Sequence, residues 1–193
     1  DCRAYEMVSP VDKLGGDILV QLNIQGHPAR LNQASPEGEA ITYSAYRSFG
    51  EPEGAPYQSQ YIARRGAGGW ATENISPAQE NGVVNGSRID SNYKAFSEDL
   101  GMGWLVQDAD PPLAAGGVPD FFNLYRRENA SGSYEALTTT APPGMGAIDY
   151  VIEMQGAAVD GSRTVFRSNG KLTANSNAGL GKAQVYEWFN GNL

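Results

Sequence analysis

The residues with the widest chemical reach in this chain are its carboxylates. Asp108 and Asp110 stand two positions apart in Asp108-Ala109-Asp110, and Asp120 closes the same Pro- and Gly-rich stretch. Two carboxylates on one loop could act as acid and base on a glycosidic bond. Oxygens gathered there could also hold calcium, which takes about 6–8 of them. The spacing is not that of a known calcium loop. The expectation is therefore no cofactor, with calcium at Asp108 and Asp110 as the alternative. His27 is the one histidine, in Gly26-His27-Pro28, and no Ser or Cys stands at a spacing that would make it a nucleophile's base. It reads as an exposed loop residue. Cys2 is the one cysteine, and a structural zinc site needs about four Cys or His ligands. Two readings of Cys2 stay open: a free thiol, or half of a disulfide whose partner lies upstream. No Gly-x-Ser-x-Gly elbow, Gly-Lys-Ser/Thr phosphate loop or complete dinucleotide fingerprint occurs.

Charge narrows the partners. Fourteen basic residues face 22 acidic ones, for a net charge of −8. A nucleic-acid binder needs a basic field, and an anionic membrane surface asks for the same. Neither partner is expected, and no apolar run is long enough for membrane insertion as a helix. Ten Tyr, six Phe and three Trp supply large side chains for a core that the modest aliphatic content alone would leave thin.

The elements that must position these residues come in repeats. Ala34-Ser35-Pro36-Glu37-Gly38 leads into Ile41 and Tyr43. At a shift of 62 stand Ser97-Glu98-Asp99-Leu100 and Leu105; at a further 61 stand Ala158-Val159-Asp160-Gly161 and Phe166. The same shifts carry Gln60-Tyr61-Ile62-Ala63-Arg64-Arg65 onto Phe122-Asn123-Leu124-Tyr125-Arg126-Arg127, and then onto Ala183-Gln184-Val185-Tyr186-Glu187-Trp188. Each unit reads as strand, turn, strand, long loop, strand, with a fourth strand at Trp70–Ile75 and at Tyr134–Thr138 after Gly- and Ser-rich turns. No helical period runs through three turns. The chain is thus expected to be all-β, a single partial β-propeller over 1–193. It holds three four-stranded antiparallel repeats near 28–78, 92–140 and 150–193. Leu100 stands where the turn expects Gly, which leaves the second repeat's first turn open.

The Ser-x-Asp-Gly turn and its following strand resemble the WD40-like repeats of TolB-type β-propellers. Cys2-Arg3-Ala4-Tyr5-Glu6-Met7-Val8-Ser9-Pro10, Tyr61-Ile62-Ala63-Arg64-Arg65 and Tyr93-Lys94-Ala95-Phe96-Ser97 are similar to secreted actinobacterial propeller proteins of unknown function. The resemblance implies a fold and an extracellular or cell-surface setting, and no chemistry. Sialidase-like propellers use a cluster of arginines, but Arg64-Arg65 and Arg126-Arg127 alternate faces and need not converge.

Residues 3–10 also resemble Trp70–Pro77, so the segment 1–10 reads as an outer strand of a further or shared blade. Its partner would be the 183–189 strand of a second copy, or a blade outside this chain, the latter being favoured. The long loops near 47–58, 107–120 and 168–182 should share one face, where function tends to reside. The reading is a non-catalytic extracellular module that binds a protein or polysaccharide there. Tyr57, Asp108, Asp110, Asp120, Asn175 and Asn177 are its contact candidates. The alternatives are a secreted glycan hydrolase using loop carboxylates, and a structural spacer of a surface or filament.

Overall fold

The computed structural model describes residues 5–20, 22–24, 27–54, 56, 58–78 and 92–193, and only the backbone of 22–24 and 27–30. The strands are β1 (Asp17–Leu19), β2 (Leu22–Ile24), β3 (His27–Arg30), β4 (Gln33–Ala34), β5 (Ala40–Tyr46), β6 (Gln58–Gly66) and β7 (Gly69–Asn74). They continue with β8 (Tyr93–Phe96), β9 (Met102–Gln107), β10 (Asn123–Glu128), β11 (Tyr134–Ala136), β12 (Ile152–Ala157), β13 (Arg163–Ser168) and β14 (Gln184–Phe189). Among the described residues the one helical element is a 3-10 turn at Ala147–Asp149. The protein is all-β and its sheets are antiparallel, as expected. The second sheet runs β8-β9-β10-β11 and the third β12-β13-β14. In the first, β5, β6 and β7 follow an initial strand that is split between β4 and β1.

The three first turns are superposable in their hydrogen bonds. Ser35, Ser97 and Ala158 each donate N–H to the carbonyls of Ala40, Met102 and Arg163, and accept from the N–H of Gly38, Leu100 and Gly161. These positions keep the shifts of 62 and 61 read from the sequence. Gly38 and Gly161 adopt φ of 72° and 69°, the left-handed region that glycine enters freely. Leu100 adopts 59° there, so the second repeat keeps the turn without the glycine. Asp99 Oδ1 accepts from the Gly101 N–H at 2.9 Å and from Ser97 Oγ at 2.7 Å, as Asp160 Oδ1 accepts from the Ser162 N–H in the third turn. The Leu100 side chain is fully buried between the first and second sheets. Burial outweighs strain here. Left-handed backbone costs a non-glycine residue roughly 1–2 kcal/mol, while truncating a buried Leu costs roughly 2–5 kcal/mol. Leu100→Gly should therefore lose about 2 kcal/mol in urea unfolding; a gain would show that the turn governs this position.

The third strands depart from the sequence register. Tyr43 lies opposite Tyr61, Leu105 opposite Tyr125, and Phe166 opposite Tyr186. The equivalent of Tyr61 is thus Tyr125, 64 residues on, where the repeated arginines had matched Arg64-Arg65 to Arg126-Arg127 at 62. The third strand of the second sheet is slid by two residues, and the following hairpin is correspondingly shorter. A two-residue slip leaves every side chain on its original face, so the hydrophobic pattern hides it.

The first sheet contains a second departure. Its initial strand pairs with β5 through Gln33 opposite Thr42, then through Leu19 opposite Ser44. The described residues between these points, 20, 22–24 and 27–32, lie outside this sheet and include the paired strands β2 and β3. In the other two sheets the same place is a bulge, after Tyr93 and after Met154. A bulge already leaves one residue unpaired, which makes it a natural point of insertion. Asn32 closes the break: its Nδ2 donates to the Leu19 carbonyl and its Oδ1 accepts from the Ser44 N–H. His27, expected in a loop, begins β3.

The sheets stack face to face through two cores. Ile62, Ile75 and Ala40 of the first sheet meet Tyr93, Leu105 and Tyr125 of the second. Trp104, Val106, Leu124 and Leu137 of the second meet Ile152, Phe166, Tyr186 and Trp188 of the third. A third cluster, Tyr43, Ala45, Phe49, Tyr61 and Ala63, lies on the first sheet's other face and is covered partly by Val8 and Ile18. Tyr43, Leu105 and Phe166 are 5%, 0% and 0% exposed, buried at equivalent places as the repeat requires.

Candidate functional site

Each sheet has a tight end and a loop end. At the tight end lie the four-residue turns and the short hairpins. At the other end β5, β9 and β13 run into the segments 47–57, 108–122 and 169–183 before their partners return. A buried tyrosine from each third strand lies beneath its own loop, and two of the three bond to it. Tyr61 stacks on Phe49 at 4.0 Å, and its hydroxyl accepts from the Phe49 N–H at 2.9 Å. Tyr186 donates to the Gly170 carbonyl at 2.7 Å and meets Ser176 Oγ at 2.5 Å. Tyr125 is fully buried under its loop beside Gly117, where an added Cβ would stand 2.7 Å from the hydroxyl. Asn123 adds a second tie in that loop, exchanging bonds with the N–H and C=O of Val118 and donating to the Phe121 carbonyl. These anchors, not the arginines, are what the third strands share at this end. The signal was present as Tyr61, Tyr125 and Tyr186.

The candidate residues separate in this frame. Asp108 is 2% exposed and sits with Tyr125, whose ionisation its carboxylate opposes, so it belongs to the interior of its loop. Asp110 is exposed and Asp120 half-buried on that same loop, Asp120 with φ of 66°. Asn175 and Asn177 are exposed on the third sheet's loop; Gln184 of that sheet donates to Asn177 Oδ1. Tyr57 lies outside the described residues. Asp108 and Asp110 thus differ in burial. No group of three or more His, Cys, Asp or Glu side chains that could hold a metal occurs among the described residues. Asn129-Ala130-Ser131 has the form of a glycosylation sequon, but Asn129 is buried with both ends of its amide bonded, to Arg127 and to the Leu100 carbonyl.

The second arginine pair, Arg126-Arg127, acts between sheets. Arg127 is buried and donates to Glu73 of the first sheet at 2.9 Å and to Asn129. Arg126, on the opposite face, donates to the Gly161 carbonyl of the third sheet and lies over the Trp188 ring at 5.1 Å. One dipeptide therefore ties the middle sheet to both neighbours. Trp104 Nε1 adds a bond to Thr164 Oγ1 at 2.9 Å across the same junction as Arg126.

Burial also sets the alkaline limit of the fold. Tyr125 and Tyr150 are pushed up to about 12, chiefly because burial disfavours the phenolate. Unfolded tyrosines ionise near 10. Stability from these groups is therefore complete below pH about 10 and is lost as pH rises from there through about 12. Each tyrosine should contribute a slope of about 1 kcal/mol per pH unit in that window. Thermal melts between pH 8 and 12 should show a plateau and then this decline, with the tyrosinate absorbance of Tyr125 and Tyr150 delayed until unfolding. Ionisation of all ten tyrosines near pH 10 in the folded protein would contradict the packing.

No family model matches the sequence, and no curated protein matches it. Among solved structures, TolB from Acinetobacter baumannii is similar at 16% identity and a TM-score of 0.42. The likeness covers 83% of this chain and 29% of that one. At that level it carries no argument about fold or function. Among the described residues no helix is long and apolar enough to cross a membrane.

Proposed function

We propose that the three sheets are blades of a β-propeller and that the chain is a non-catalytic binding module, set outside the cell or at its surface. Its partner is a protein or a polysaccharide, held on the loop end of the sheets. The observation that carries this reading is the asymmetry between the two ends. One end is spent on minimal turns. The other carries three long segments, each seated over an equivalent buried tyrosine, so that the loop tips are presented on packed bases. Binding surfaces are commonly built in this way, from loops on a rigid sheet scaffold. Asp110, Asp120, Asn175 and Asn177, with Tyr57, supply the polar and aromatic contacts that a hydroxyl-rich or basic partner would take. Buried Asp108 shapes the loop beneath them.

A glycan array and a protein-binding screen with the intact chain test the reading. Binding is expected, without turnover of chromogenic glycosides, and should weaken at least tenfold in Asp110→Asn combined with Asn175→Ala. Turnover that disappears in Asp120→Asn would replace the module with a hydrolase. Binding unchanged by loop substitutions would move the site away from this end.

A further inference from the structure

Two neighbouring loops at the loop end carry opposite charge. The segment 108–122 of the second sheet holds three aspartates and no Lys or Arg, while 169–183 of the third holds Lys171 and Lys182 and no Asp or Glu. Asp108 is buried, so Asp110 and Asp120 present the negative charge. The positive side is broader than its loop: the run 161–186 contains no acidic residue at all, in a chain of net charge −8. Arg163 and Arg167 of that run are paired, with Glu187 and Glu153. Lys171 and Lys182 are exposed and form no ion pair among the described residues. Their charge faces water.

The same loop ends in a tight turn with an apolar tip. Gly179 and Lys182 exchange both backbone hydrogen bonds, at 3.0 and 2.8 Å, around Leu180-Gly181. Such tips ordinarily fall to Gly, Asn, Asp, Pro or Ser. Gly181 meets the demand for positive φ, at 72°, and Leu180 is not among the residues with positive φ. The turn therefore asks for no leucine, and a polar residue would serve it as well. Yet the Leu180 side chain is 71% exposed. Its stem is fastened from below. Ser176 Oγ meets the Tyr186 hydroxyl, donates to Gln184 Oε1 at 2.9 Å and accepts from the Ala178 N–H at 3.1 Å. Gln184 in turn donates to Asn177. A lone exposed apolar side chain on a surface is ordinary. One held at the tip of a bonded turn, with an unpaired lysine two residues on, is ready to dock, because little backbone freedom is left to lose.

We infer that the partner at the loop end is a protein, and that Leu180 enters an apolar pocket on it whose rim is acidic toward Lys171 and Lys182, while a basic part of the same partner faces Asp110 and Asp120. The inference rests on the loop end being the binding surface, and adds the class of partner and its anchor. A polysaccharide of uniform charge complements one of these loops and not the other, and it offers no pocket for a branched apolar side chain. An anionic membrane attracts the lysines but is opposed by Asp110, Asp120 and the net charge of −8. A folded protein surface places both signs and a pocket within one interface. The opposite charges fix its orientation, and burial of Leu180 supplies affinity that charge alone does not.

The probe is a displayed library of random peptides, selected on the intact chain at low salt. Selected peptides should combine an apolar residue with acidic ones. Made synthetically, they should bind Leu180→Ser roughly tenfold or more weakly, the loss expected for one buried leucine. Leu180→Ser lies at an exposed tip and should leave the thermal melt unchanged, which separates lost contact from lost fold. Lys182→Glu should weaken the same peptides, and exchanging their acidic residues for lysine should restore binding to that variant. A library that yields no peptide sensitive to Leu180→Ser and Lys182→Glu overturns the inference. If its peptides still respond to Asp110→Asn, the loop end stands as the binding surface and only the anchor is wrong. Two further results overturn it by giving the tip another occupant. One is binding on a glycan array that disappears in Leu180→Ser. The other is retention on vesicles of phosphatidylcholine and phosphatidylserine that disappears in the same variant.

Discussion

Phe166→Ala should lower the stability of the folded chain by roughly 3–5 kcal/mol. Phe166 is fully buried, stacks on Tyr186 at 5.6 Å, and stands in the core that joins the second and third sheets. Removing the ring forfeits its transfer from water and leaves a void that the strands around it cannot close, since both are held by a six-residue ladder. For a domain of this size each kcal/mol moves the melting temperature by roughly 2–4 °C, so calorimetry should show a fall of about 10 °C. A loss below about 1 kcal/mol would mean that Phe166 does not face the second sheet.

Arg127→Ala should be nearly as costly, at roughly 2–4 kcal/mol, and for a different reason. The guanidinium is buried and links Glu73 to Asn129, and Asn129 in turn holds the Leu100 carbonyl of the left-handed turn. Losing the arginine leaves the Asn129 amide oxygen without its donor in a buried site, and that desolvation is not recovered. Glu73 is half-exposed and water can serve it, so Glu73→Gln should cost only about 1 kcal/mol. The difference between the two substitutions, measured by urea unfolding, is the test. Equal effects would show that the value of the contact lies in the ion pair alone.

Both predictions rest on which strand faces which, and the sequence carried part of that. The turns at Ser35, Ser97 and Ala158 were legible because their chemistry is local: a hydroxyl or acidic side chain, then a residue that accepts positive φ. The equivalence of Tyr43, Leu105 and Phe166 followed from those turns. The register of the third strands was not legible from the arginines. Arg64-Arg65 and Arg126-Arg127 look alike as a string, but Arg65 meets Glu6 and Trp70 on the first sheet's outer face, while Arg127 is buried between sheets. Alternation cannot register a slip of two, and only the tyrosines mark the true positions. The insertion between β1 and β4 was hidden because it enters at a bulge and returns to a two-residue strand, too short to show a pattern. The burial of Asp108 was hidden because a carboxylate in a Pro-rich stretch reads as solvent-facing until its loop folds back over Tyr125. The loop end itself was legible, since long Gly- and Asn-rich connections at fixed offsets must emerge together once the strands are paired.

The claim on which the rest depends is that Tyr61, Tyr125 and Tyr186 occupy one position in three equivalent sheets. Cross-strand NOEs in the isotopically labelled protein decide it directly. The account predicts contacts of Leu105 with Tyr125 and of Phe166 with Tyr186, matching Tyr43 with Tyr61. Contacts of Leu105 with Asn123 instead would restore the uniform 62-residue shift and contradict the register, the tyrosine anchors and the inter-sheet role of Arg127 together.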